Sequence, residues 1–201
     1  MILLGWDAVE ALALGELRGR PEDGVFRRVH DDSRDARPGD LFVALNTGVR
    51  FVPEALERGA ATLVPRDQEA ALAALARLVR DRSHAEVVAV VGSTGKTTTK
   101  DVLAALCGAV TPTVAAAASK NNELGLPLTV LRLEEDTRVL VTEMGMRGLG
   151  QIAELCVVAR PTLALVTSIG PEHLELVGSL EDVARANAEA IDALPAGGIA
   201  V

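Results

Sequence analysis

Apolar residues recur at helical spacing over residues 6–14 (WDAVEALAL), and the stretch from Met1 to Gly15 reads as a helix. Val29 to Asp32 is a short strand candidate. Leu41 to Leu45 (LFVAL) is a stronger one, introduced by the turn Arg37-Pro38-Gly39-Asp40. Residues 52–59 have a helical pattern, 61–64 (ATLV) a strand pattern, and 68–80 form an Ala/Leu-rich helix. These elements predict a small α/β unit over residues 1–84. The polar stretch Asp81 to Glu86 reads as a boundary. Val87 to Val91 is then a continuous apolar run, the pattern of a strand covered on both faces. A glycine-rich loop follows, and Thr97 to Cys107 reads as a helix. Arg138 to Thr142 and Thr162 to Thr167 are further buried strands, and 149–159 and 179–194 are helices. Gly198 to Val201 opens one more strand. Strands alternating with helices predict a mostly parallel sheet with flanking helices and right-handed crossovers. The expected fold is α/β: an N-terminal domain over 1–84, then a P-loop-type central domain over 85–201. The late strand at Gly198 to Val201 leaves no room to complete its βα unit, so the central domain is expected to be incomplete.

Composition adds to this picture. The chain is 49% hydrophobic but only 2% aromatic, so its core must be built from Ala, Leu and Val. That favours helices and parallel strands over a β-sandwich. A formal net charge of -8 argues against nucleic-acid partners. Lysine occurs only at Lys96, Lys100 and Lys120, a clustering that points to an anionic ligand. Cys107 and Cys156 fit no metal spacing and read as small buried residues of a reducing compartment. The N-terminus carries Asp7 and Glu10 without a basic start, and no apolar run approaches a membrane span. The sequence therefore predicts a cytoplasmic protein.

The chemistry concentrates in Gly92-Ser93-Thr94-Gly95-Lys96-Thr97-Thr98, directly between the Val87–Val91 strand and the next helix. Gly92 and Gly95 permit backbone conformations and a close approach that a Cβ would block. Loop amides and the helix N-terminus direct partial positive charge at phosphate. Lys96 is a mobile cation for the β- and γ-phosphates, and the Thr97 hydroxyl suits Mg²⁺. The longer GxxxxGK pattern would need a glycine at position 90, where the chain has Val90, so the motif is the shorter GxxGKT.

Read with its surroundings, the loop resembles that of the Mur ligase family. Asp32-Ser33-Arg34 followed by Pro38-Gly39-Asp40-Leu41-Phe42-Val43-Ala44-Leu45 is similar to the family's N-terminal signature. Asn121-Asn122-Glu123-Leu124-Gly125-Leu126-Pro127-Leu128-Thr129 resembles the double-asparagine segment of the member that joins D-Ala-D-Ala to UDP-N-acetylmuramoyl-tripeptide. Glu143-Met144-Gly145 and Gly170-Pro171-Glu172-His173-Leu174 resemble its metal-site segments, with Gly178-Ser179 following. The resemblance implies three domains: one for the UDP-sugar, a central ATPase and a C-terminal domain that helps bind the amine. It implies that the C-terminal half is missing here. It implies that ATP phosphorylates the substrate carboxylate, and that the amine of D-Ala-D-Ala attacks the acyl phosphate. By the same resemblance Lys96, Glu143 and His173 are catalytic, and Thr97, Glu143 and His173 serve Mg²⁺. Asn121 and Asn122 hold substrate, and Ser33, with Arg34 nearby, meets the uridine-diphosphate end.

The chain departs from the family pattern in places. Val91 stands where the family often has threonine, and Arg50-Phe51-Val52-Pro53 replaces an aspartate-glycine-histidine segment. Asn187 stands where the family often has a carbamoylated lysine. Either Asn187 offers a neutral amide oxygen there, or Glu189 or water substitutes, or the copy is impaired. Weak or no turnover is expected of this chain alone. Other readings are a sister ligase adding one amino acid, a folate polyglutamylating enzyme, a non-catalytic binding domain and a generic P-loop kinase.

Overall fold

The computed structural model describes residues 1–117, 121–171 and 174–201. The N-terminal part opens with β1 (Leu4–Gly5) and α1 (Trp6–Ala11), then β2 (Gly15–Arg18), β3 (Val25–Phe26) and β4 (Arg28–His30). β5 (Asp40–Val43), α2 (Val52–Glu57), β6 (Ala61–Pro65) and α3 (Gln68–Arg80) follow. The expected helix from Met1 to Gly15 is thus confined to six residues. Leu4 and Gly5 pair antiparallel with Phe26 and Val25, and Gly15 pairs with Pro65. Long-range pairing takes both ends of the apolar stretch away from the helix.

β2, β6, β5 and β4 form a four-stranded sheet in that order, antiparallel only between β2 and β6. All four residues of β5 are buried because helices or turns cover both its faces. α3 starts where the Asp67 side chain accepts a hydrogen bond from Ala70 N at 3.0 Å. Its buried stripe is Ala71, Leu72, Leu75, Ala76 and Val79. Truncating Leu72 or Leu75 to alanine in such a site costs about 2–5 kcal/mol.

The second sheet uses β7 (Glu86–Val91), β8 (Thr113–Ala115), β9 (Val139–Glu143), β10 (Leu163–Val166) and β11 (Ile199–Ala200). Its order is β11-β10-β7-β9-β8, and every pair is parallel. The helices are α4 (Lys96–Gly108), α5 (Gly125–Val130), α6 (Gln151–Ala159), the single turn α7 (Leu174–Val177) and α8 (Leu180–Asp192). From β7 the chain passes to the edge strand β8, returns to β9 between the two, and then crosses to the other side of β7 at β10. The carboxyl ends of β7, β9 and β10 therefore diverge at a crevice, the place where open α/β sheets bind ligands.

α3 packs on α5 and α6, which joins the two sheets through one continuous core. That core runs from Leu4, Phe26 and Leu41 through Leu72 and Leu75 to Val87, Leu126, Leu140 and Ala164. Cys156 is buried within it, whereas Cys107 is only half-buried on α4. Among the described residues no helix is long and apolar enough to cross a membrane.

Candidate active site

The loop between β7 and α4 has a shape that only glycine permits at its first position. Gly92 has φ +123°, and a Cβ there would lie 2.3 Å from Thr167 Oγ1 and 2.9 Å from Ser168 N. Gly95 has φ +83° and forms the N-cap of α4. The segment after β10 pins the loop from one side. Ser93 N donates to Ser168 O at 2.8 Å, Thr167 Oγ1 to Thr94 O at 2.6 Å, and Gly170 N to Ser93 Oγ at 2.9 Å. Lys96 Nζ folds back over the loop and donates to Gly92 O and, at 3.1 Å, to Ser93 O. Thr97 and Thr98 lie in the first turn of α4, which carries no acidic residue. The positive end of that helix is therefore unopposed within its own first turn.

Glu143 ends β9 beside this loop and is 2% exposed. Asn121 Nδ2 donates to its Oε1 at 2.9 Å, while its Oε2 is buried without a hydrogen-bond partner among the described residues. An orphaned carboxylate oxygen is costly to bury and suits a cation. Oxygen donors are also what Mg²⁺ prefers, and it is commonly held by one or two carboxylates together with phosphates and water. Glu143 and Thr97 fit that chemistry. Among the described residues no three His, Cys, Asp or Glu gather as a metal cluster. His173, expected to serve the metal, lies outside the described residues.

The two asparagines divide their work. Asn121 orients Glu143, and Asn122 Oδ1 accepts from Gly125 N at 2.9 Å, capping the start of α5. A cavity of about 170 Å³ is lined by Lys96, Asn121, Asn122, Gly145, Arg147 and Gln151, among others. A second cleft of about 800 Å³ is lined by Ser33, Arg34, Asn46, Thr47, Phe51 and, again, Asn122. Ser33 is 5% exposed at its wall. Arg34 Nε donates to Asp32 Oδ1 at 2.9 Å, and this guanidinium holds the Asp32 carboxyl down at about 2. The structure thus gathers Ser33, Arg34 and Asn122 in one cleft and Lys96, Asn121 and Asn122 in the other, with Asn122 at both.

Other residues noted in the sequence have defined places. Lys100 is fully buried on α4, donates to Ala116 O at 2.9 Å and pairs with Asp101. Lys120 lies outside the described residues. His30 is half-buried and bonded to the buried Asp40 at 3.2 Å. Asn187 Oδ1 accepts from Gly92 N at 2.6 Å and its Nδ2 donates to Val183 O at 2.8 Å. Glu189 accepts from Gly150 N at 2.6 Å and from Ala153 N at 3.0 Å, at the start of α6. Both side chains considered as replacements for a carbamoylated lysine are therefore engaged in holding backbone. Arg147, Gln151, Thr167 and Ser168 were not singled out in the sequence, which gives no sign of them beyond their nearness to Glu143-Met144-Gly145 and Gly170-Pro171. Asn187 did leave a sign: it is a polar residue in the helical stripe Val183, Ala186, Asn187, Ala190.

Comparison with known proteins agrees with this geometry. The model of the Mur ligase middle domain matches residues 90–201. The UDP-N-acetylmuramoyl-tripeptide–D-alanyl-D-alanine ligase of Escherichia coli is 36% identical, over 93% of this chain and 45% of its own length. The enzyme of the same name from Bacillus subtilis is 35% identical, over 90% of this chain and 44% of its own. Among solved structures, MurF from Acinetobacter baumannii superposes with a TM-score of 0.83 at 27% identity, covering 98% of this chain and 48% of that one. MurF ligase from Thermotoga maritima, solved in complex with ADP, gives 0.76 at 33% identity, over 87% of this chain and 45% of that one. The chain thus spans less than half the length of these relatives. With the middle-domain model matching more than half of its residues, the chain belongs to the Mur ligase family.

Proposed function

We propose that this chain is the substrate- and ATP-binding part of a ligase that joins D-Ala-D-Ala to UDP-N-acetylmuramoyl-tripeptide in peptidoglycan precursor synthesis. The observation that carries the reading is the position of Asn122, which borders both the Ser33 cleft and the Lys96 cavity. A substrate with its nucleotide end in the first and its peptide carboxylate in the second would meet the terminal phosphate of ATP there. Residues 1–84 bind the UDP-sugar and residues 85–201 bind ATP in this reading, which assigns the protein to the cytoplasm. The relatives that carry this name support it.

The residues suit the chemistry. A carboxylate is a poor electrophile, and accepting a phosphoryl group gives it a good leaving group. The protein's contribution is then positioning and charge neutralisation. Lys96 leaves the carbonyls of Gly92 and Ser93 to meet the γ-phosphate, and the N-terminus of α4 faces the β-phosphate. Asn121 keeps Glu143 oriented, and Thr97 and Glu143 would hold Mg²⁺. When bound, the metal would supply neutralisation of charge on the phosphates. His173 is proposed as a further residue of that metal site.

Calorimetric titration with Mg-ATP tests the nucleotide half of this reading. Lys96→Ala is expected to weaken binding by about 10-fold or more, as the loss of a charge-assisted contact implies. Equal affinity in the two proteins would overturn the assignment of the loop.

A further inference from the structure

The chain has four aromatic residues, one Trp and three Phe. Trp6, Phe26 and Phe42 are 6%, 0% and 1% exposed and belong to the cores. Phe51 is 38% exposed, at the end of a 3-10 turn over Asn46–Phe51, and it lines the 800 Å³ cleft. The Arg50 guanidinium lies 4.7 Å from the centre of its ring. Arg50 does not itself line the cleft, so it braces the ring without closing the cleft. An exposed ring held by a cation is a ready stacking partner for a flat π-system.

Charge decides what this end of the cleft can recognise. Asp31, Asp32, Glu54 and Arg34 line it, three carboxylates against one guanidinium. The guanidinium is already bonded to Asp32. Such a wall does not attract a diphosphate by charge. Attraction for a nucleotide here must come from its base, through stacking on Phe51 and hydrogen bonds from neighbours such as Asn46 and Thr47.

We propose that Phe51, braced by Arg50, is the platform on which the pyrimidine base of the sugar-nucleotide substrate stacks. The inference rests on the proposed function, since it takes the cleft to be the UDP-sugar site. It also gives a role to a segment that departs from the family's sequence pattern.

The test titrates the full chain and its Phe51→Ala and Phe51→Trp variants with UDP-N-acetylmuramoyl-tripeptide, alongside melting curves. Base–aromatic stacking of ordinary strength predicts a loss of about 5- to 100-fold in Phe51→Ala. Phe51→Trp should bind within about 3-fold of wild type, because a larger ring keeps the π-face. Both variants should melt close to wild type, since the ring is partly in solvent. Proton NMR gives a direct reading: the uracil H5 and H6 signals of the bound ligand shift upfield in wild type, and the shift is lost in Phe51→Ala. Wild-type affinity and an unchanged uracil shift in Phe51→Ala would overturn the platform and leave the proposed function standing. No binding by a wild-type chain that melts cooperatively would overturn the proposed function and the platform with it.

Discussion

Replacing Asn187 by alanine tests how the phosphate loop is held. The side chain is 2% exposed, and the Gly92 amide that it receives is buried as well. The Asn187 Nδ2 bond to Val183 O matters less, because that carbonyl keeps its ordinary helical partner. The dominant cost is the Gly92 N–H left without an acceptor, about 1–3 kcal/mol for a buried backbone donor. In a protein of this size each kcal/mol lowers Tm by about 2–4 °C. Asn187→Ala should therefore melt roughly 3–10 °C lower. Amide hydrogen exchange locates the effect: the Gly92 amide should be protected in wild type and exchange much faster in the variant. Mg-ADP affinity should fall with it, because the first peptide of the loop is no longer fixed. A variant that melts within about 1 °C of wild type with the Gly92 amide still protected would refute the reasoning.

Three further outcomes are expected. Glu143→Gln keeps an oxygen for Asn121 and removes a buried charge, so stability should be unchanged or slightly higher. Its Mg²⁺-dependent ATP binding should fall by about 10-fold or more, and undiminished binding would remove Glu143 from the metal site. Asp32 should titrate near 2 by NMR, and Arg34→Ala should bring it back towards 3.8. Because the folded value is depressed, the pairing favours the folded state above about pH 4 and this contribution fades as pH falls towards 2. Burial pushes the Cys156 thiol up to about 12, so at pH 8 iodoacetamide should modify the half-buried Cys107 and reach Cys156 only after unfolding. Equal labelling rates in the native protein would contradict the packing of α6.

The sequence displayed the central sheet and its loop well because their signals are local. Val87–Val91 is an uninterrupted apolar run, and GSTGKT sits at its end. α3 and α8 carry capping side chains, Asp67 and Ser179, next to periodic apolar stripes. β1, β3 and β8 were not visible, because strands of two or three residues show no alternation and exist through pairing with distant partners. For the same reason the N-terminal helix was drawn too long. α5 was hidden by its composition, since Gly125, Pro127, Thr129 and Val130 are weak helix formers. It forms because Asn122 caps it and all six of its residues are buried. In the site, the glycines and Lys96 were legible from spacing. The link from Asn187 to Gly92 spans 95 residues and exists only once β7 and α8 are packed together. Phe51 looked like an ordinary apolar residue until the fold put it on a cleft wall.

The central claim is that one substrate spans the Ser33 cleft and the Lys96 cavity. Calorimetric titration of the chain with UDP-N-acetylmuramoyl-tripeptide, beside the matching dipeptide precursor, tests it most directly. The account predicts that both bind at the nucleotide end and that the tripeptide binds more tightly, because only it reaches past Asn122 towards Lys96. Equal affinities, or no binding of either by a cooperatively melting sample, would contradict it.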